Sequence, residues 1–258
     1  MGRRISKDSF IYGLDSRHNI MFAHIFDMAT SCDKYYSAVY GDFLSENSIA
    51  ELSSREQFLP LAPVFFGGFD DAERKMVAFV PEDIAPQFPI SVVRFSSPRI
   101  KNLSHRDFLG SILGLGIKRE KCGDIIIKDD EAYAFLSDDI ATYVANNISK
   151  IGREGVKAEI VKSSDIDLPE KSFREIKGTV SSLRLDAIIS LFGGTGRGKA
   201  CEIISGGLVF VNGIQATKND MHLRDGDTIS LRGKGKATLA VGGTSKKDRI
   251  FITLNVWS

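Results

Sequence analysis

Positions Ile20, Met21, His24, Ile25 and Met28 recur at three- and four-residue intervals, which predicts a helix burying that face. A second helix is predicted from Ser45 through Ile49 and Leu52, because Ser45 to Ser48 supply short polar side chains at an entrance whose backbone N–H groups need acceptors. Short apolar runs follow at Pro63 to Phe66, Met76 to Val80 and Ile90 to Phe95, set apart by Gly67-Gly68 and by the stretch from Pro81 to Pro89, and these read as strands. Ser104 to Leu115 reads as a helix with Ser104 as N-cap, Asp107 three residues on, and Phe108, Leu109, Ile112 and Leu113 on one face. A hairpin is expected from Asp124 to Leu136 around Asp129-Asp130, then a helix from Ser137 to Lys150 and a strand from Val156 to Val161. Strands alternating with helices over this span imply a compact α/β sandwich, one sheet carrying helices.

After a polar stretch at Ser163 to Lys171, read as a linker, the pattern changes. Arg184 to Phe192 is apolar-periodic and stops at Gly193-Gly194, and Thr195 is placed to cap a second helix ending at Gly206-Gly207. Leu208 to Val211 reads as a strand, Asn212-Gly213 as a two-residue hairpin turn, and Thr228 to Leu231 as another strand entered by Asp225-Gly226-Asp227. Arg232-Gly233-Lys234-Gly235-Lys236 follows as a basic glycine loop. The expected fold class is α+β in three units: a helical region over residues 1–57, a central α/β domain over 58–169, and a third domain over 170–258.

Charge sharpens this division. The chain has 258 residues, 43% apolar, with a formal net charge of +1. From Lys171 onward there are 14 Lys and Arg against 7 Asp and Glu, whereas residues 1–170 hold 20 against 26. A basic third on an acidic body is the electrostatic footprint of a nucleic-acid-binding module. Three scattered cysteines, Cys32, Cys122 and Cys201, without a CxxC pair, suggest reduced thiols in a cytoplasmic protein. His18, His24, His105 and His222 have no metal-ligand spacing, so no metal or other cofactor is expected. The start, MGRRISKDSF, fits the short N-myristoylation pattern but lacks the apolar core of a secretory signal, and no apolar run is long enough to span a bilayer, so no membrane partner is expected.

The segments RLDAIISLF, GRGKACEIISGGLVFVNG and GDTISLRGKGK resemble the RNA-binding domain of ribosomal protein S-four, also found in certain tRNA synthetases and rRNA-modifying enzymes. Arg184, Leu185, Asp186, Arg197, Ala200, Ile204, Gly207, Val209, Val211, Asn212, Gly213, Gly226, Asp227 and Ile229 carry the match. Gly196 departs from it, since the family usually has serine there. GGFDDAERKMVAFVP and LSHRDFLGSILGLGIKREKCGDIII resemble the bacterial YlmH-type proteins, which carry an S-four domain, and the resemblance runs from about Gly67 onward. It implies a non-enzymatic protein that binds rRNA or tRNA, works in quality control of stalled nascent chains on the large ribosomal subunit, and is linked to cell division. No small-molecule substrate is evident.

The residues themselves point the same way. Arg197 and Lys199 stand in the first turn of a helix whose free N–H groups favour an anion. Arg184 projects from the preceding helix, either toward phosphate or into an ion pair with Asp186, and Arg232, Lys234 and Lys236 sit on the basic loop. One surface formed by these six is expected to contact structured RNA. In the central domain His105, Arg106, Lys118 and Arg119 are candidate phosphate contacts, or a solvated helix end.

Two enzyme motifs are near misses. Gly193 to Lys199 fits the phosphate-cradling G-x-x-x-x-G-K, but Ala200 replaces the hydroxyl residue that would hold magnesium, and too little chain follows for a parallel sheet. Arg184-Leu185-Asp186 matches three residues of pseudouridine synthases, with Ile189 and Leu191 where Thr and Gly are needed. The alternative reading is an RNA-modifying enzyme, of pseudouridine synthase or methyltransferase type, that docks its substrate through the S-four-type domain.

Overall fold

The computed structural model describes residues 6–162, 165–166, 173–245 and 248–257. The expected linker at 163–171 therefore lies outside the described residues except for Asp165 and Ile166, as do residues 1–5. By its contacts the chain divides into two units, Met1–Pro169 and Glu170–Ser258. Both mix helices with antiparallel sheets, an α+β fold.

The first unit opens with α1 (Lys7–Ile11) and the long α2 (Ser16–Tyr35). The buried stripe of α2 is Phe22, Ile25, Met28, Ala29 and Cys32, and each fully buried phenylalanine removes enough apolar area from water to contribute roughly 1.5–3 kcal/mol. Ile20 and His24 were expected on that stripe, yet both are exposed. The face that wins is the one that buries the larger Phe22 ring.

β1 (Val39–Leu44) and α3 (Glu46–Ser54) follow, the helix capped by Ser45, whose hydroxyl accepts from the Ser48 amide at 3.2 Å. β2 (Val64–Phe66) and β3 (Lys75–Phe79) complete a sheet of order β1-β3-β2. The expected boundary at residue 57 falls inside this layer, because β1 pairs with β3 across it. Gly41 and Asp42 interrupt the alternation that would have announced β1, and a register shift lies between Tyr40 and Phe43. The glycine is needed for closeness: a Cβ on Gly41 would lie 2.8 Å from Met28 Cε and 3.0 Å from Val77 Cγ1.

The rest of the unit is built on β4 (Ile90–Ser96), α4 (His105–Leu113), β5 (Cys122–Lys128), β6 (Glu131–Ser137), α5 (Asp138–Asn147), the short pair β7 (Lys150–Ile151) and β8 (Glu154–Gly155), and β9 (Lys157–Val161). Four strands form an antiparallel sheet of order β5-β6-β4-β9. Phe108 and Ile112 of α4 and Ala141 and Val144 of α5 pack with Val93, Phe95, Ala134 and Leu136 on one face, and Phe69 covers Phe135 on the other. Helices lying on a sheet follow the sequence expectation, but the single sheet does not, because the apolar runs that become β2 and β3 pair with β1 in a sheet of their own. Asp107 accepts from the Ser104 amide at 2.7 Å, which completes the capping box at the start of α4.

The second unit begins with β10 (Phe173–Val180) and continues with α6 (Leu185–Gly193), α7 (Arg197–Ser205), β11 (Val209–Val211), β12 (Ile214–Gln215), β13 (Thr228–Leu231), β14 (Gly235–Thr244) and β15 (Ile250–Trp257). The strands form one sheet of order β10-β15-β14-β13-β11-β12. Ile188, Ile189 and Phe192 of α6 and Ile204 of α7 pack on its inner face against Val209, Val211, Ile229, Leu239 and Leu254. Asn212 and Gly213 both take positive φ, 50° and 78°, as a type I′ hairpin turn demands.

Candidate nucleic-acid interface

The two helices of the second unit are joined by a tight turn. Gly194 ends α6 in the left-handed region, and the Thr195 amide reaches back to the Ser190 carbonyl at 3.0 Å. Gly196, not Thr195 as expected, is the N-cap of α7, and no side chain caps that helix. The first-turn amides of α7 therefore have no side-chain acceptor, unlike those of α6, where the Leu185 and Asp186 amides donate to the Met221 and Asn219 carbonyls.

Asp186 organises the cations around this turn. Its side chain is 8% exposed, and it accepts from Arg184 Nε and Nη2, both at 3.3 Å, and from Arg197 Nη2 at 3.1 Å. Burial pushes its carboxyl pKa up, but the hydrogen bonds from Arg184 and Arg197 outweigh burial and hold it below the ordinary value. The ion pair considered for Arg184 is thus present, and Arg197 shares it. Both arginines stay open to solvent, at 37% and 54% exposure, so each guanidinium keeps edges turned outward. Lys199, two residues further on, is exposed and pairs with Glu202 at 2.8 Å.

Beside this turn lies an open cavity of about 520 Å³ between the end of β10 and the start of α7. Thr179, Ser181, Thr195, Arg197 and Arg249 bring polar groups to it, over a floor that includes Val180 and Leu191. Arg249 escaped the sequence reading. Its Nε and Nη2 donate to Thr179 Oγ1 at 3.0 Å and the Thr179 carbonyl at 2.6 Å, and among the described residues no carboxylate pairs with it. Lying in a charged SKKDR stretch, it carries no local signal that it docks on a strand 70 residues earlier.

Arg232 and Lys236 do not join that surface, which corrects the expectation of a single face. The basic stretch is a tight β13–β14 turn rather than a flexible loop, closed by the Lys234 amide on the Leu231 carbonyl at 2.9 Å. Lys236 already belongs to β14, opposite Ser230. Arg232 lies over the Phe210 ring at 5.5 Å and Lys236 over the Trp257 ring at 4.4 Å. Phe210 alternates with the buried Val209 and Val211, so these cations attend the sheet face turned away from α6 and α7.

In the first unit, Arg106 and Lys118 are exposed, as a phosphate contact requires. Arg119 is committed elsewhere: its Nη1 donates to the Cys122 and Gly123 carbonyls at 2.5 and 3.3 Å. Arg74, missed in the sequence reading, donates to the Cys122 and Phe43 carbonyls at 2.9 and 2.8 Å. Burial, and then repulsion from Arg119, lower its pKa to about 10. Arg74 thus fastens β5 to the end of β1, while Arg119 braces the start of β5. Desolvation and the nearby Arg119 also hold the His105 imidazole below its ordinary pKa, so at neutral pH it offers a neutral ring to a ligand rather than a cation. Lys121 is likewise occupied, spanning Asp42 at 3.0 Å and Asp139 at 3.1 Å.

Among the described residues, no group of three His, Cys, Asp or Glu could hold a metal ion, and no helix is long and apolar enough to cross a membrane. The three cysteines are free thiols, Cys32 and Cys122 buried and Cys201 partly so.

The chain has counterparts among known proteins. Residues 85–165 match the family described as "Putative RNA-binding domain in YlmH". Over 218 residues the chain is 33% identical to the Bacillus subtilis (strain 168) "Ribosome-associated protein quality control protein P2", covering 82% of this chain and 84% of that one. This chain belongs to the YlmH family. The solved structure of the "Cell division protein ylmH from Streptococcus pneumoniae" is similar with a TM-score of 0.49 and 22% identity, covering 60% of this chain and 97% of that chain.

Proposed function

We propose that this protein is a non-enzymatic, cytoplasmic RNA-binding protein that engages structured RNA, rRNA or tRNA, on the large ribosomal subunit during handling of stalled nascent chains. The observation that carries the reading is the pair of half-exposed guanidiniums of Arg184 and Arg197, held by buried Asp186 beside the uncapped start of α7. A carboxylate that fixes two arginines from behind leaves their outer N–H groups oriented for phosphate oxygens, and the helix start adds free amides of the same polarity. The second unit is read as an S-four-type domain on the order of its helices and hairpin. Its excess of basic residues supplies the sequence-independent part of the affinity. The 33% identical Bacillus subtilis relative, by its name a ribosome-associated quality control protein, supports the ribosomal setting, and the Streptococcus pneumoniae name extends the reading to a link with cell division.

Recognition is by shape and backbone, since A-form helices are read largely through phosphates and 2′-hydroxyls. Competition filter binding at one salt concentration tests this: structured RNA displaces bound RNA well below the concentration at which duplex DNA of equal length does. Equal competition by duplex DNA overturns the RNA preference. Heat released on titrating S-adenosylmethionine would overturn the non-enzymatic part.

A further inference from the structure

The outer face of the six-stranded sheet carries a row of side chains that phosphate contacts alone do not explain. Strand pairing sets Phe173 opposite Trp257, Lys236 opposite Ser230, and Ser230 opposite Phe210. Lys236 bridges the two halves of the row by lying over the Trp257 ring, and Arg232 lies over Phe210. The row therefore reads ring, ring, cation, hydroxyl, ring, with a second cation at its end. Its neighbours in the same strands, Val256, Ala237, Ile229, Leu231, Val209 and Val211, point the other way into the core beneath α6 and α7. Phe173 is 53% exposed, and its ring meets that of Trp257 edge-on at 6.3 Å.

We propose that this sheet face binds a single-stranded RNA segment, with bases stacking on Trp257, Phe173 and Phe210 and with Lys236 and Arg232 meeting the phosphates between them. The inference rests on the RNA-binding reading above and adds a second surface to it, on the side of the sheet opposite the arginine pair. Neighbouring strands lie about 4.8 Å apart, so the Trp257 and Phe210 rings, three strands apart, stand about 14 Å from one another. That is room for two separate stacking positions along one extended strand. Base–ring stacking is a stronger contact than an exposed ammonium over a ring, so an arriving base displaces Lys236 onto the adjoining phosphate. The charge sign agrees, with 14 basic against 7 acidic residues from Lys171 onward. An apolar protein partner would call for a contiguous apolar patch, whereas here cations and a hydroxyl separate the rings.

The chain contains a single tryptophan, so indole emission reports on this face alone. The full chain is titrated with a twelve-nucleotide oligo(U) while Trp257 fluorescence is followed, and binding of the oligomer and of a structured RNA hairpin is measured in parallel on filters. The expected result is saturable quenching by oligo(U), with affinity at least about 5-fold weaker in Phe210→Ala and hairpin binding unchanged. If Phe210→Ala does not fold, Phe210→Leu keeps the apolar volume, removes the ring, and shows the same selective loss. Oligo(U) bound without a change in emission, or bound equally well by the variants, overturns the proposal, as does hairpin binding with no oligo(U) binding. If neither RNA binds, the broader RNA-binding reading fails and this proposal fails with it.

Discussion

Arg197 Nη2 donates to Asp186 Oδ1 at 3.1 Å, tying the first residue of α7 to the second residue of α6 across the tight turn between them. With Arg184 on the same carboxylate, one buried acid sets the spacing of two outward-facing cations. Asp186 is therefore a structural partner of both arginines.

Replacing Asp186 with Asn removes the charge and keeps the shape. Unfolding free energy falls by roughly 1.5–3 kcal/mol, the value of hydrogen bonds to a charged group. The sign with pH follows from the depressed carboxyl pKa, which the two arginines hold down against burial. The unfolded state takes up the proton first, so the stabilisation is complete above the ordinary carboxyl value of 3.8 and disappears as acid moves below it toward the folded-state pKa. Thermal melts of both proteins at pH 7, 4 and 3 converge as pH falls; a gap independent of pH contradicts the assignment.

The double change Arg197→Ala with Lys199→Ala separates structure from binding. If each cation neutralises one phosphate, the slope of log affinity against log salt flattens by roughly 1.4 to 1.8. Lys199 pairs with Glu202 only at the surface, so Lys199→Ala alone leaves the melting temperature unchanged. Arg197→Ala lowers it modestly through the lost contact with Asp186. A lower melting temperature with an unchanged slope would make Arg197 purely structural.

In the first unit, Arg74 and Arg106 should behave oppositely. Arg74→Met takes the arginine donor from the Phe43 carbonyl, leaves the Cys122 carbonyl with Arg119 alone, and costs about 2–3 kcal/mol in urea unfolding. Arg106→Ala, at an exposed position, stays within about 0.5 kcal/mol of the parent while reducing the salt slope of RNA binding. Loss of stability at Arg106 with no change in slope would remove it from the interface.

Asn212 serves the hairpin. Its side-chain amide donates to Asp227 Oδ1 at 2.9 Å, and its side-chain oxygen accepts from the Thr228 amide at 2.8 Å. Asn212→Ala loses both bonds and takes a positive φ with an ordinary Cβ, at a cost of about 1–2 kcal/mol. RNA affinity measured well below the melting temperature stays the same; a selective loss of affinity would turn this residue into a contact.

Local signals were legible and distant ones were not. Ser104 with Asp107, and Asn212 with Gly213, encode their structures within four residues, and the sequence places both correctly. β1 was missed because Gly41 and Asp42 serve close packing and a lysine contact instead of alternation. β10 and β15 went unrecognised as strands because their ladder joins residues 70 to 84 apart, from Phe173–Trp257 to Val180–Ile250. At the site, Arg184 beside Asp186 could be read as an ion pair from spacing alone. That Arg197 shares the same carboxylate, that Arg249 docks on Thr179, and that the basic turn leans over the opposite sheet face depend on tertiary geometry.

The β10–β15 ladder also sets how the second unit responds to tension. Its first pair, Phe173 with Trp257, joins the entry of one strand to the exit of the other. A pull applied at those two residues loads the ladder from one end, so the rungs part in succession rather than resisting together in shear. The unit therefore peels open under low force, beginning where the aromatic row begins.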